Sequence, residues 1–190
     1  MAEQDLSVIA AALDATLAQC DLTNTTSDKG TGDLPDGYYL CEVEKAELVS
    51  SKSGYPMVKF RYKVVENGYK SVIDEKGNDV LVEAKGTMGN PIFMNYVLSN
   101  ASQIPFFVSD MLKFANPADA TKPLLADTEE EAKVYFTNTE LLVQALDIIS
   151  MGCRIYIMVQ SVPNKENKDV MDKKYNPIKW KRASELGLPV

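Results

Sequence analysis

The first chemistry legible in this chain lies in a run from Met57 to Val65. Lys59, Arg61 and Lys63 share one side of a period-two pattern with Met57, and Val58, Phe60, Tyr62 and Val64 share the other. A second basic group stands near the end: Lys173, Lys174, Lys179, Lys181 and Arg182, interleaved with Tyr175, Ile178 and Trp180. Cations set along strands can neutralise a row of phosphates, and aromatic faces beside them can stack bases. Those are the two requirements for holding a single nucleic-acid strand. The stacking candidates are Tyr38, Tyr62, Phe93, Tyr175 and Trp180. The competing reading of each aromatic is a core residue, and of the lysines a solvated face.

The overall charge makes the placement of these bases informative. The chain has 27 acidic and 20 basic side chains, a net charge of −7. Residues 1–36 hold seven acids and one base, whereas residues 165–182 hold seven bases and three acids. An acidic protein that gathers its bases locally can still meet phosphate.

The elements that must position these residues follow from periodicity. Tyr38 to Val49 and Met57 to Val65 flank the polar turn Ser50-Ser51-Lys52-Ser53-Gly54, a hairpin with one apolar and one wet face. Ser71–Ile73 and Val80–Glu83 flank a charged tip and read as a second hairpin or a long loop. Ile92–Leu98 reads as a strand or a helix start. Apolar periodicity then predicts helices over Pro105–Ala115, Thr128–Phe136 and Thr139–Ser150, making residues 100–150 a helical insert. Cys153–Val162 returns to a strand, Lys165–Asp172 reads as an exposed loop, and Ile178–Lys181 reads as a last short strand with a basic face. Before all of these, Asp5–Cys20 has an apolar helical stripe of Leu6, Ile9, Leu13 and Leu17, followed by a flexible acidic linker to Asp33.

The expected fold is therefore mainly β with helical additions. It is a five-stranded OB-like antiparallel barrel in residues 34–190 with the helical insert before the fourth strand, preceded by an N-terminal amphipathic helix and linker in residues 1–33.

Other chemistries find little support. The chain has no histidine, which removes the commonest general base and metal ligand. Cys20, Cys41 and Cys153 lack metal-binding or disulfide spacing. Phosphate-loop and dinucleotide fingerprints are absent; Lys85-Gly86-Thr87-Met88-Gly89 is a turn-like imitation. The acids of Asp74-Glu75-Lys76-Gly77-Asn78-Asp79 are not spaced as a calcium loop. Neither an enzyme nor a cofactor is expected, and no apolar run suits a membrane.

The stretch LPDGYYLCEVEKAELVSSKSGYPMVKFRYKVVE resembles the opening of a phage-encoded family related to single-stranded-DNA-binding proteins. Pro35-Asp36-Gly37-Tyr38-Tyr39, the turn Ser51…Gly54…Pro56-Met57, and Tyr175-Asn176 before Lys179–Arg182 carry the resemblance. It implies an OB fold that binds single-stranded DNA without sequence preference, in phage replication or recombination in the cytoplasm of an infected bacterium. The contacts, nominated by the residues' own types and spacing, would be Lys59, Arg61, Lys63, Phe93, Lys173, Lys174, Tyr175, Lys179, Trp180, Lys181 and Arg182. Further partners would be replication or recombination proteins, or a second copy reached through the N-terminal helix. The alternative is a protein–protein adaptor or virion assembly component on the same scaffold.

Overall fold

The computed structural model describes residues 34–99, 103–115, 125–165, 167–168 and 170–189, all within the unit Leu34–Val190. The expected N-terminal helix and linker lie outside the described residues.

The described residues form an antiparallel sheet of seven strands with short helices. The strands are β1 (Gly37–Ser50), β2 (Pro56–Val64), β3 (Gly68–Ile73), β4 (Asp79–Ala84), β5 (Pro91–Val97), β6 (Arg154–Pro163) and β7 (Met171–Ile178). The helices are α1 (Ile104–Met111), α2 (Glu129–Lys133), α3 (Thr139–Ile149) and α4 (Trp180–Glu185). Pairing runs β4-β3-β1-β2-β5, and β6 joins β1 to β7. Among the described residues no ladder joins β5 to β7, so the sheet is not closed. It differs from a five-stranded barrel in having two more strands and open edges.

β1 is the axis of the sheet. Its first half pairs with β6, from Gly37↔Val159 to Glu42↔Arg154. Its second half pairs with β2, from Cys41↔Val64 to Ser50↔Pro56. The two halves also differ in burial. Near the start both faces are covered, so Tyr38-Tyr39-Leu40-Cys41 is a continuous apolar run, as expected of a strand buried on both sides. Further on, one face is wet. Two glycines permit the tight crossing of β1 and β3. A Cβ on Gly37 would stand 2.4 Å from the Tyr69 carbonyl oxygen, and one on Gly68 2.2 Å from the Tyr39 ring.

The alternation in β2 is realised as the sequence predicts: Val58, Phe60, Tyr62 and Val64 are buried, while Lys59, Arg61 and Lys63 are exposed. The buried row packs with Tyr39, Cys41, Val43, Ile92, Ile155 and Ile157 beneath α1 and α3. Phe60 stacks on Tyr62 with ring centroids 5.4 Å apart, and Tyr96 meets Phe107 edge-on at 5.3 Å. Helix starts follow local capping chemistry. Thr128 and Glu131 exchange side-chain and backbone hydrogen bonds at the head of α2, and Asn138 accepts from the Leu141 N–H at the head of α3.

The end of the chain departs from expectation. β7 starts at Met171, inside the stretch predicted as a loop, and stops at Ile178. The predicted basic strand through Lys181 is instead a helix, whose first turn is closed by the Ala183 N–H on the Lys179 carbonyl. Burial decides this. Trp180 is only 6% exposed and packs with Leu40, Tyr156, Ala183 and Leu188 on the far side of β1 and β6. Its ring meets Tyr156 edge-on at 5.6 Å. No helix among the described residues is long and apolar enough to cross a membrane.

Candidate nucleic-acid interface

The wet face of β1, β2 and β5 brings the first set of candidates together. Register places Lys63 opposite Glu42 and Pro91, Arg61 opposite Lys45 and Phe93, and Lys59 opposite Glu47 and Asn95. Phe93 is 60% exposed, an aromatic ring open to solvent directly across from a guanidinium. Lys45, Lys59, Arg61, Phe93 and Asn95 line a cleft of about 460 Å³.

This face is a mixed field. A bulge between Val43 and Lys45 inserts Glu44 as an extra residue, and its carboxylate pairs with Arg61 Nε at 2.8 Å. The bulge thus inserts an acid beside the facing Lys45 and Arg61, which would otherwise repel. Lys45 pairs with Glu47 at 2.7 Å, and Arg154 with Glu42 at 2.9 Å. Lys59 and Lys63 have no ion-pair partner among the described residues. On β1 and β2 four bases (Lys45, Lys59, Arg61, Lys63) against three acids (Glu42, Glu44, Glu47) leave the face at +1, with Arg154 of β6 paired to Glu42 at its border.

The second set divides. Lys113, Lys179, Lys181 and Arg182 line a separate cleft of about 410 Å³ beside Ile178 and Glu185. Lys113 donates to Asp110 at 2.6 Å and to the Pro177 carbonyl at 2.8 Å, Lys179 pairs with Glu129, and Arg182 pairs with Glu185 at 3.3 Å. Lys181 and Lys174 are exposed, with no ion pair among the described residues.

Two candidates near the end of the chain are taken up by the fold. Lys173 is 19% exposed at its side chain and donates to Asp36 at 2.9 Å and to the Ser161 hydroxyl at 2.8 Å. Asp36 also accepts from the Ser161 N–H at 2.9 Å. Desolvation pushes the Asp36 carboxyl up, but the hydrogen bonds from Ser161 and the charge and hydrogen bond of Lys173 outweigh it and hold the group at about 2. Trp180 is the other: its ring is buried rather than offered to a base. Tyr62 is likewise buried, and Tyr175 is half-buried against the main core.

Lys45, Asn95 and Lys113 were not among the residues nominated from sequence. Asn95 had a signal, standing two residues after Phe93 on the same strand face. Lys45 had none, because the bulge shifts the alternation of β1 at that point. No protein-family model matches the chain, and no curated protein matches it.

Proposed function

We propose that the protein binds single-stranded DNA without strong sequence preference, on the wet face of β1, β2 and β5. The observation that carries this reading is Phe93, an exposed ring on a sheet face beside Arg61, Lys59 and Lys63. A strand laid there meets cations for its phosphates and an aromatic plane for a base, which suits any base because each has a π face. The cleft at Lys113, Lys179, Lys181 and Arg182 offers a second set of phosphate contacts.

The order of pairing supports an OB-like plan. A long bulged β1 pairs with β2 and with β6, β2 pairs with β5, helices separate β5 from β6, and β7 returns on β6. On that plan the β3–β4 hairpin is an insertion, and the wet face coincides with the surface such folds use for single strands. The resemblance of residues 34–65 to the phage family adds to the same reading, with replication or recombination in an infected cell as its setting.

Titration of a fluorescent poly-thymidine oligonucleotide across salt concentrations tests it by anisotropy. Phe93→Ala should weaken binding roughly 5- to 150-fold, since stacking on an aromatic is worth about 1–3 kcal/mol. Lys59→Ala with Lys63→Ala should lower the log–log salt slope by about 1.4, at about 0.7 per phosphate contact on single strands. Trp180 emission should stay constant. Absence of binding at low salt, or binding that neither variant alters, would overturn the proposal.

A further inference from the structure

The sheet has three free edges among the described residues, β4, β5 and β7, and the chain treats them differently. β4 carries Asp79 and Glu83, and β7 carries Asp172, Lys173, Lys174 and Pro177. Charges and prolines of this kind keep edge strands from pairing with other chains. β5 reads Pro91-Ile92-Phe93-Met94-Asn95-Tyr96-Val97, with no charged residue and a proline only at its first position.

The backbone of β5 is open along that edge. The Val64 N–H donates to the Asn90 carbonyl and the Leu98 N–H to the Pro56 carbonyl, which fixes the parity of the β2–β5 ladder. Residues 92, 94 and 96 therefore turn their peptide groups toward β2, and Phe93, Asn95 and Val97 turn theirs outward. Those outward N–H and carbonyl groups have no partner among the described residues. All three side chains are exposed as well. At the end of the strand stand two further exposed apolar side chains, Phe106 at 75% and Ile104 at 44% exposure. Phe106 lines a groove with Tyr96, Val97, Leu98 and Gln103.

We propose that a second copy of the chain adds its own β5 to this edge, antiparallel about a two-fold axis through Asn95. In that register Asn95 faces Asn95 and Phe93 faces Val97 in both directions. Every outward N–H of one strand then meets an outward carbonyl of the other. Self-pairing suits β5 because it places no like charges opposite one another, whereas β4 against β4 would set carboxylates together. The two-fold arrangement makes the contact self-complementary and closed, as in most homodimers. The partner strand begins beside Val97, where Phe106 and Ile104 are left exposed. The proposal does not depend on DNA binding.

Sedimentation velocity of the full chain, over a concentration series reaching well above micromolar, tests it with two variants. Asn95→Pro removes one outward N–H and places a ring in the pairing edge, while the ladder to β2 loses nothing. Asn95→Lys sets two ammonium groups face to face at the axis. Circular dichroism and urea midpoints check that each variant is folded. The expected result is a concentration-dependent dimer for the natural sequence and a monomer for both variants. A natural chain that stays monomeric throughout, or a dimer that persists in the folded variants, would overturn the proposal.

Discussion

Two tyrosines in the same core predict opposite responses to the same deletion. The Tyr62 hydroxyl is fully buried and has no hydrogen-bond partner among the described residues, and burial holds its pKa well above the usual tyrosine value. The Tyr96 hydroxyl donates to Asp110 at 2.9 Å, and Asp110 also holds Lys113 at 2.6 Å. Burying a hydroxyl without a partner costs about 1–3 kcal/mol in protein mutational data. Tyr62→Phe removes that cost and leaves a gap of about 10 Å³, worth about 0.25 kcal/mol at about 24 cal/mol per Å³. The net expectation is a gain of about 1 kcal/mol, or about 2–4 °C in Tm for a chain of this size. Tyr96→Phe removes a hydrogen bond to a charged group, worth about 1.5–3 kcal/mol. The low end applies, because Lys113 continues to satisfy the carboxylate. Urea unfolding of the two variants beside the natural chain reads both changes as shifts of midpoint at constant slope. A loss in Tyr62→Phe as large as that in Tyr96→Phe would refute the reasoning, since it would mean that the buried hydroxyl is stabilising the core.

The remaining predictions concern charge. Asp36 has its folded pKa depressed from 3.8 to about 2, so its contribution to stability is present above the unfolded value and is lost as pH falls from about 4 toward 2. With the Asp36 side chain 52% exposed, solvent screening limits that contribution to about 1 kcal/mol at neutral pH. The urea midpoints of Asp36→Asn and the natural chain should therefore differ at pH 7 and converge near pH 2; a constant difference across that range would remove Asp36 from the acid response. Glu44→Gln frees Arg61 from an exposed ion pair worth about 0.2–1 kcal/mol and should tighten poly-thymidine binding by up to about fivefold. Unchanged affinity in a protein that does bind would show that Arg61 does not touch the strand.

What could be read from sequence, and what could not, follows from the range of the interactions. The alternation of β2 was legible because each of its residues reports on one face of one strand. The helices α2 and α3 were legible because their signals are local: Thr128 before three glutamates for α2, and the apolar stripe of Leu141, Leu142, Ala145, Leu146 and Ile149 for α3. The pairing of Lys173 with Asp36 was not, because the partners are 137 residues apart and neither has a local pattern that names the other. Trp180 misled for a related reason. Ile178 and Trp180 alternate with lysines as a strand would, but the backbone follows the burial of the indole against Tyr156 and Leu40, which tertiary packing alone supplies. The bulge at Glu44 and the neutralisation of Arg61 have the same character: they depend on which strand lies alongside. The candidate bases were thus legible as types, and their availability was not.

The two-sided pairing of β1 has a consequence for how the chain reaches this state. β2 and β5 follow β1 closely, so the β1–β2–β5 ladder can form early during synthesis. The first half of β1 must wait for β6, and Glu42 meets Arg154 across 112 residues of chain. Contacts of such long sequence separation slow folding, because loop closure comes before any reward from the contact. Until β6 emerges, Tyr39 and Cys41 line a strand whose outer edge is bare, and the half-made chain is most exposed to wrong pairing in that interval.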